Sequence, residues 1–450
     1  MSASNNEGKL GLKDTISMAT GFAIGSGVIT LTGLAIGMTG RSVVFSYLLS
    51  AAMFLVAVIP YLIIASVYPV RSASYTYCSQ LIHPRVGGFY IFVYLIGRLT
   101  IAMFSISFAQ YLAALIPSLN QTVTAIAVLT LFYITNMFGL KSAAKLQNIM
   151  FYLLVFALLA FIVVGLPKIN FNEYFTGEGY LVDGFNGIFS AASLLFFAVG
   201  GAGVLADFGS LIKKPAKVIP VVIVGVTLAI TVVYALLSMV AAGSLPYEQV
   251  AFKPMTNSAA AVFGSGSIMY VLFLCGGALL ALTTTLNSSF VWYTNATLGG
   301  CKDGWLPKSL TTTNKYGVPY KLTTIFYLFG LVPVLLNMDI ALLGKIAVGL
   351  TCFMWVIPQF ALVNLPKRMP NRWKASRFAK MPQWSLWLLS ILSVVLYGAQ
   401  SISNFQSNPP VANVVIIVCI AASLVYVLVK KNPPKSDITP EMDVPENNDD

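Results

Sequence analysis

The chain has 450 residues, of which 57% are apolar and only 9% are charged, and its mean hydropathy is +0.81. A soluble domain carries roughly 25% charged residues, so this composition excludes a soluble globular protein and predicts one that lies in a lipid bilayer. The single histidine and five scattered cysteines favour neither a metal site nor a redox site, and no cofactor is expected. The net charge of +12 lies mainly in loops between apolar runs, which is typical of membrane topology rather than of nucleic-acid binding.

The apolar runs, taken in chain order, predict an all-α membrane protein with about twelve transmembrane helices, each close to the ~20 residues that cross a hydrocarbon core. Helices are expected because each run is about twice the length of a barrel strand. The predicted spans begin near Thr15, Val43, Gly87, Val123, Leu146, Phe185, Ile219, Ala259, Leu322, Ile340, Trp384 and Val411. Residues 1–14 form an N-terminal segment, and residues 431–450, rich in Pro, Asp, Glu and Asn, are expected to be a disordered tail.

The positions of lysine and arginine predict the orientation of the chain. These residues concentrate in alternate loops, and the other set of loops holds only Arg41, Lys168 and Lys253. Loops rich in lysine and arginine face the cytoplasm. We therefore expect a multi-pass protein of the plasma membrane whose N-terminus and C-terminal tail are both cytoplasmic.

Glycines interrupt the first and sixth predicted spans at matching positions. Span one contains Ala23-Ile24-Gly25-Ser26-Gly27-Val28, and span six contains Phe197-Ala198 followed by Gly200-Gly201. One interpretation is that these glycines only allow close helix packing. We favour the other, because paired interruptions in two halves of a chain are typical of the broken helices that form the central site of a secondary transporter.

A broken helix would bind a zwitterion without any charged side chain. The freed N–H groups of residues 26–28 would face an anion such as a carboxylate. The freed carbonyls near Ala23 and Phe197 would accept hydrogen bonds from an ammonium group. The central part of the predicted spans contains no Asp or Glu, and the nearest acid is Asp207, toward the end of span six. This pattern therefore favours an α-amino acid as substrate.

Arg98 is a charged residue inside a predicted span. It lies about eleven residues into span three, which is roughly 16 Å of helix from the start. An ionisable side chain at that depth normally faces the protein interior and is functional, so Arg98 is a candidate for coupling or for interaction with a substrate charge. The alternative is that the long side chain snorkels to the membrane interface.

Four motifs resemble the amino acid–polyamine–organocation superfamily of permeases. In chain order they are Ile24-Gly25-Ser26-Gly27-Val28, then Asn136-x-x-Gly139-x-Lys141, then Phe196-Phe197-Ala198 with the loop at 213–220, and Lys302-Asp303-Gly304-Trp305-Leu306-Pro307. The resemblance implies an inverted repeat of five plus five helices, over residues 15–166 and 185–365, with two further helices at 384–430. It also implies that the aromatic ring of Phe197 covers the bound substrate.

The chain departs from that family's pattern at three positions that are often charged. Many members have a lysine in the fifth helix where this chain has Leu154. Asn295 and Gly203 stand where an arginine and a glutamate are frequent. The resemblance therefore does not imply proton coupling through these positions.

We expect a secondary active transporter that moves amino acids by alternating access, as an exchanger or a symporter. A polyamine or organic-cation carrier of the same fold is the alternative, and the lack of a central carboxylate makes it less favoured. A receptor is less favoured still, because the chain has no soluble segment long enough for an output domain, and no span holds a catalytic constellation that would indicate an enzyme. The expected partners are a small-molecule substrate, an amino acid or amine, and the lipid bilayer, with no nucleic acid; the sequence does not predict the oligomeric state.

Overall fold

The computed structural model describes residues 10–138, 143–177, 179–430, 433–434 and 438–444. Within these ranges it describes all side chains except those of Phe22, Ser26 and residues 143–151. Most of the predicted N-terminal segment, the loop residues Gly139 and Lys141, and much of the predicted tail lie outside the described residues.

The regular secondary structure of the described residues is helical, and we label the principal helices α1 to α17. The first nine are α1 Leu12–Ala23, α2 Ser26–Thr39, α3 Val43–Ala57, α4 Ile59–Val67, α5 Pro84–Ile96, α6 Thr100–Leu115, α7 Gln121–Met137, α8 Ala143–Gly165 and α9 Gly184–Val199. The remaining eight are α10 Pro215–Gly243, α11 Leu280–Lys302, α12 Tyr320–Leu335, α13 Ile340–Gln359, α14 Ala361–Arg368, α15 Pro370–Ala375, α16 Gln383–Gln406 and α17 Pro410–Val429. Short 3₁₀ segments at Gly97–Leu99 and Gly200–Asp207 and a π-helix at Phe273–Leu279 continue or interrupt them.

Within the described residues, 8 helical stretches are long and apolar enough to cross a membrane. They are Gly27–Ala57, Pro84–Leu115, Gly184–Asp207, Pro215–Gly243, Ile268–Lys302, Ile340–Arg368, Gln383–Gln406 and Pro410–Val429, and three shorter apolar helices lie at Gln121–Met137, Tyr152–Lys168 and Tyr320–Leu335. Large apolar side chains are exposed on the outer faces of α16 and α17, for example Trp384 and Val411, as expected for helices in lipid. These helices confirm the prediction of an all-α membrane protein, whereas the number twelve and the inverted repeat stay predictions.

Span eight begins later than the sequence indicates. The apolar run from Ala259 forms a separate short helix, Thr256–Phe263, and the membrane-length stretch starts at Ile268. Gly264 and Gly266 have φ angles of 84° and 77° between the two helices. Glycine adopts this left-handed region without a steric penalty, so the pair ends one helix and turns the chain into the next.

Most of the basic loops lie together at one end of the helical bundle, which we call the basic end. Contacts there join parts of the chain that are far apart in sequence: the backbone of Leu10 bridges to Ile212, Arg372 Nη1 donates to Val67 O (3.4 Å), and Lys430 Nζ donates to Gly304 O (2.5 Å). At the other end, which we call the opposite end, Arg41 Nη1 donates to Glu173 O (2.9 Å) and Tyr247 hydroxyl donates to Gly37 O (2.8 Å). These contacts bring several loops of the basic set together at one end of the bundle, and the side of the membrane that this end faces stays a prediction.

Part of the segment predicted to be disordered makes a specific contact at the basic end. A 3₁₀ turn at Pro440–Asp443 brings the buried Asp443 to the start of α15. Its carboxylate accepts hydrogen bonds from the backbone N–H groups of Asn371 and Arg372, both at 3.1 Å. An acid at this position compensates N–H groups that have no acceptor within the helix. We call this arrangement the tail contact.

Candidate functional site

The break predicted in the first span is present between α1 and α2. Helix α1 ends at Ala23, and Ile24 (φ −83°, ψ 92°) and Gly25 (φ −149°, ψ −153°) are extended before α2 begins at Ser26. A Cβ atom on Gly25 would overlap Thr285 Oγ1 of α11. The glycine therefore allows the extended backbone to lie directly against α11.

Tyr234 of α10 occupies part of this break. Its hydroxyl donates to Ala23 O at 2.7 Å, and it is fully buried. The carbonyl that the sequence suggested would be free thus already accepts one hydrogen bond. A carbonyl oxygen has two lone pairs, so the Ala23 oxygen keeps capacity for one further donor.

The start of α2 packs against α9. A Cβ atom on Gly27 would lie 2.9 Å from Ala198 Cα, closer than atoms can approach without displacement. Gly27 therefore lets two helix backbones touch, which is the close packing that was the other interpretation of these glycines. The N–H groups of residues 26–28 form the first turn of α2 and, as at the start of any helix, lack an acceptor within it.

The sixth predicted span changes its helix type at the predicted glycines instead of unwinding. Helix α9 ends at Val199, and Gly200–Asp207 continue as a 3₁₀ helix of 8 residues. Runs of 3₁₀ helix longer than 3–4 residues are uncommon and often mark a functional hinge. Phe196 is buried between the rings of Phe54 (5.4 Å) and Tyr397 (5.3 Å), whereas Phe197 lies at 6.0 Å from the ring of Phe104.

A cavity of about 70 Å³ lies between these two interrupted helices, and we call it the central cavity. Helices α1, α2, α6, α9, α11 and α13 and the 3₁₀ segment surround it. Its apolar wall is formed by Phe104, Phe196, Phe197, Val204 and Trp355, and its hydroxyl-bearing wall by Thr285, Ser288, Ser289, Tyr293 and Thr351. None of the described residues that line it is charged.

The structure brings most of the predicted site residues to this cavity. Those that line it are Ala23, Gly25, Gly27, Phe197, Ala198, Gly200 and Gly201. Ile24 and Val28 are buried but are not part of the lining. Ser26 begins α2 at the same break, and its side chain is outside the description.

The contribution of α11 to the cavity was not predicted from the sequence. Thr285, Ser288 and Ser289 line the cavity, and Trp292 and Tyr293 follow one turn later on the same face. Spacings of three and four residues place side chains on one face of a helix. A run of hydroxyl residues with this spacing inside an apolar span was the available signal, because polar groups in a membrane span usually face the protein interior.

A second cavity, of about 400 Å³, lies on the basic side of the first, and we call it the basic cavity. Its lining includes Arg71, Asp207, Lys302 and Asp303. Among the described residues, Trp292 alone lines both cavities. The side chain of Trp292 therefore forms the partition between the uncharged central cavity and the charged basic cavity.

Asp207 is the last residue of the 3₁₀ segment and lines the basic cavity. Its carboxylate accepts from the backbone N–H of Ser74 (3.2 Å) and from the hydroxyl of Tyr61 (3.5 Å). Nearby, the Tyr75 hydroxyl donates to Asp303 Oδ2 at 2.5 Å. Burial and then the adjacent Asp303 carboxylate raise the pKa of Tyr75 well above its ordinary value, so the hydroxyl keeps the proton that it donates.

Arg98 lies in the 3₁₀ kink between α5 and α6 and is only 2% exposed, so its side chain does not snorkel out of the protein. Its Nε donates to Tyr94 O at 3.0 Å, and Nη2 lies 3.3 Å from Met354 Sδ. The guanidinium carbon lies 4.1 Å from the ring centroid of Tyr94 and 4.9 Å from that of Tyr293. The cation is thus held by aromatic rings directly behind the lining of the central cavity.

The positions that depart from the family pattern have apolar or peripheral surroundings. A Cβ atom on Gly203 would lie 3.1 Å from the ring of Trp355, which fills the space that a larger side chain would need. Leu154 is buried, and Asn295 lines the basic cavity rather than the central one.

Comparison with known proteins identifies the family. A model of the amino acid permease family matches residues 10–429. The branched-chain amino acid permease BcaP of Bacillus subtilis is 26% identical over 400 residues, 83% of this chain and 84% of that protein. The permease of the same name from Lactococcus lactis subsp. cremoris is 27% identical over 345 residues, 68% of this chain and 71% of that protein. The vacuolar cationic amino acid transporter 4 of Arabidopsis thaliana is 27% identical over 338 residues, 70% of this chain and 56% of that protein. The chain therefore belongs to the amino acid permease family of the amino acid–polyamine–organocation superfamily and is a multi-pass membrane transporter, not an enzyme.

Proposed function

We propose that this permease carries neutral amino acids with apolar side chains by alternating access, as an exchanger or a symporter. The observation that carries the proposal is the central cavity, whose described lining combines a helix break with aromatic and hydroxyl groups and contains no charged side chain. A zwitterionic backbone can be bound by helix termini alone. A polyamine or other organic cation would lack a carboxylate partner there, which disfavours the alternative carrier.

The amino acid backbone would bind at the break between α1 and α2. Its carboxylate would accept from the N–H groups at the start of α2, where the helix dipole favours negative charge. Its ammonium group would donate to the remaining lone pair of the Ala23 carbonyl, beside the hydroxyl of Tyr234. Phe197 would cover the substrate, because its ring lines the cavity at 6.0 Å from the ring of Phe104.

The side chain of the substrate would extend toward the apolar wall of the central cavity. Phe104, Val204 and Trp355 offer apolar surface there. Burying a Val, Leu or Ile side chain in such a site stabilises the complex by roughly 1.5–3 kcal/mol. Two of the relatives named above are branched-chain amino acid permeases, which supports the same class of substrate.

We further propose that the basic end faces the cytoplasm of a plasma-membrane protein, in agreement with the distribution of lysine and arginine. At the opposite end the ring of Phe252 lies on Gly37, where a Cβ atom would be 2.5 Å from it, and Lys253 O contacts Gly33. The cavity of larger volume, about 400 Å³ against about 70 Å³, is at the basic end. These features support a state in which the opposite end is closed and the central cavity is reached from the cytoplasmic side. The pairing of the break at Gly25 with the 3₁₀ transition at Gly200 supports the inverted repeat, and we propose the twelve-span topology from the apolar runs of the sequence.

Counterflow in proteoliposomes tests this proposal. Vesicles that contain the purified protein and unlabelled leucine should accumulate labelled leucine, isoleucine and valine, and external lysine or putrescine should not compete. A transmembrane pH gradient distinguishes an exchanger from a proton symporter, because under such a gradient only the symporter would accumulate leucine in vesicles that contain no amino acid. Uptake of putrescine without uptake of leucine would support the cation carrier instead.

A pair of variants tests the location of the site. Val204→Trp fills the central cavity and should abolish counterflow, whereas Val221→Trp, on the outer face of α10 where the side chain is 65% exposed, should leave it intact. Thermal unfolding checks that both variants are folded. Normal counterflow by folded Val204→Trp would contradict binding in the central cavity.

A further inference from the structure

Arg98 is a buried cation, and no acid among the residues that the structure describes neutralises it. Its partners in the described part of the chain are the carbonyl of Tyr94, the sulfur of Met354 and the faces of aromatic rings, and no carboxylate forms an ion pair with it. Arginine keeps its charge in folded proteins. Burying a charge without an opposite charge is costly, and contact with aromatic faces offsets only part of that cost. A structural role in packing would be served by an uncharged side chain, so the charge itself requires an explanation.

The position of Arg98 relative to the central cavity suggests that explanation. Its guanidinium carbon lies 4.9 Å from the ring of Tyr293 and 6.0 Å from the ring of Trp292, and both rings line the cavity. One layer of side chains therefore separates the cation from the substrate. Apolar and aromatic surroundings screen the charge much less than water does, so its field reaches the cavity.

None of the described residues that line the cavity carries a charge that would oppose this field. Its described lining has no acid, and Asp207, the acid at the end of the 3₁₀ segment, faces the basic cavity beyond Trp292. A cationic side chain that entered the cavity would be repelled by Arg98 and would find no carboxylate. A neutral side chain would be indifferent to the charge.

We propose that Arg98 is the specificity-determining residue that excludes amino acids and amines with a cationic side chain from the central cavity. This proposal rests on the function proposed above and specifies its basis: selection against charge comes from a fixed cation behind the wall, in addition to the apolar lining. Arg98 does not contact the substrate, because Tyr293 and Trp292 stand between them. Two unit charges roughly 10 Å apart in a medium of effective dielectric about 20 repel enough to weaken binding about tenfold.

The test compares two ligands that differ in charge but hardly in shape, norleucine and lysine. Dissociation constants are measured by ligand-dependent thermal unfolding of the purified full-length protein. In the wild type norleucine should bind and lysine should bind far more weakly. Arg98→Met should lower the ratio of the lysine dissociation constant to the norleucine dissociation constant about tenfold, mainly by strengthening the binding of lysine. Arg98→Lys keeps the charge and should keep the ratio within about twofold.

A matched control separates loss of charge from loss of packing. Met354→Leu removes the sulfur contact with Arg98 Nη2 without changing any charge, and it should leave the ratio unchanged. If Arg98→Met does not yield folded protein, Arg98→Gln gives the same comparison, because its amide can still donate to the Tyr94 carbonyl.

The outcomes distinguish this inference from the proposed function. If the ratio of the lysine to the norleucine dissociation constant is the same in the wild type and in the uncharged variants, Arg98 does not exclude cations. Binding of norleucine to the wild type would still support the proposed transport of neutral amino acids. Tighter binding of glutamate than of norleucine in the wild type would make Arg98 an anion-binding residue and would also overturn the filter. The proposed function itself fails if none of these amino acids shifts the unfolding of the wild type.

Discussion

Replacing Gly25 by alanine tests whether the break between α1 and α2 depends on its contact with α11. The new Cβ atom would overlap Thr285 Oγ1, but it would lie 3.6 Å from Thr285 Cβ and 3.8 Å from Cγ2, which are ordinary van der Waals distances. The conflict therefore involves a single atom. The backbone of Gly25 is extended, so alanine adds no conformational strain of its own. Overpacking of this kind typically costs about 1–3 kcal/mol, and we expect Gly25→Ala to lower the free energy of unfolding by that amount and to abolish leucine counterflow.

The second substitution, Thr285→Ala, should relieve the conflict. It removes Oγ1 and leaves the Cβ atom at a distance that the new methyl group tolerates. The hydroxyl donates to Ala281 O within its own helix, at 2.8 Å, and the single variant Thr285→Ala measures the cost of losing it. We expect the double variant to recover most of the unfolding free energy, which corresponds to a coupling energy of about 1–3 kcal/mol between the two sites.

Thermal unfolding of the four proteins, with and without leucine, measures this coupling. Gly21→Ala is a matched control, one turn earlier in α1, for unfolding without leucine. No atom lies within 4 Å of the place that its new methyl group would occupy beside the central cavity, and alanine favours the helix by about 1 kcal/mol. Equal destabilisation of Gly25→Ala and of the double variant would refute the reasoning, since the cost would then not arise from Thr285. Unchanged unfolding and counterflow of Gly25→Ala would refute it as well.

Three further predictions concern the two ends and the partition. Gly33→Val should push the Lys253 carbonyl away and open the opposite end, so that an impermeant thiol reagent added from that side reacts with a cysteine placed in the central cavity; no increase in labelling over the parent would contradict this. Trp292→Ala should join the two cavities and raise the rate of leucine dissociation at least tenfold, and an unchanged rate would show that another group retains the ligand. Asp443→Asn should weaken the tail contact by about 1–2 kcal/mol and speed amide hydrogen exchange at residues 371–372; unaltered exchange there would mean that the carboxylate charge is dispensable.

Local features of the chain made much of the fold predictable. The spans follow from apolar runs whose length is set by the bilayer, and the break at Gly25 follows from glycines that interrupt such a run. The later start of span eight was not predicted, because the apolar run continues through Ala259 and only the backbone angles of Gly264 and Gly266 reveal the turn.

The parts of the site that the sequence did not predict depend on contacts between distant residues. Tyr234 hydrogen-bonds to the carbonyl of Ala23 across 211 positions in the chain, and nothing near either residue indicates the pair. Trp355 fills the space beside Gly203 for the same kind of reason. The hydroxyl face of α11 was accessible to sequence reasoning, because its spacing inside an apolar span indicates an interior-facing surface.

Arg98 illustrates an intermediate case. Its depth in the span left snorkelling and an interior role equally open, because both follow from the same position in the sequence. The packing of Tyr94 and Tyr293 around the guanidinium resolves where the side chain lies, and only the fold brings Tyr293 of α11 to that place.

The 3₁₀ segment from Gly200 to Asp207 also sets a length scale for movement. Eight residues of 3₁₀ helix extend about 16 Å, whereas the same residues as α-helix extend about 12 Å. A change from one helix type to the other would therefore draw Asp207 roughly 4 Å toward Phe197 while both stayed on one continuous helix. Asp207 is hydrogen-bonded to Ser74, so such a stroke would pull on the segment that lines the basic cavity. Compaction of this short helix beside the substrate would then shorten the path from the binding site to the basic end. The size of the movement would be fixed by the difference in rise per residue between the two helix types.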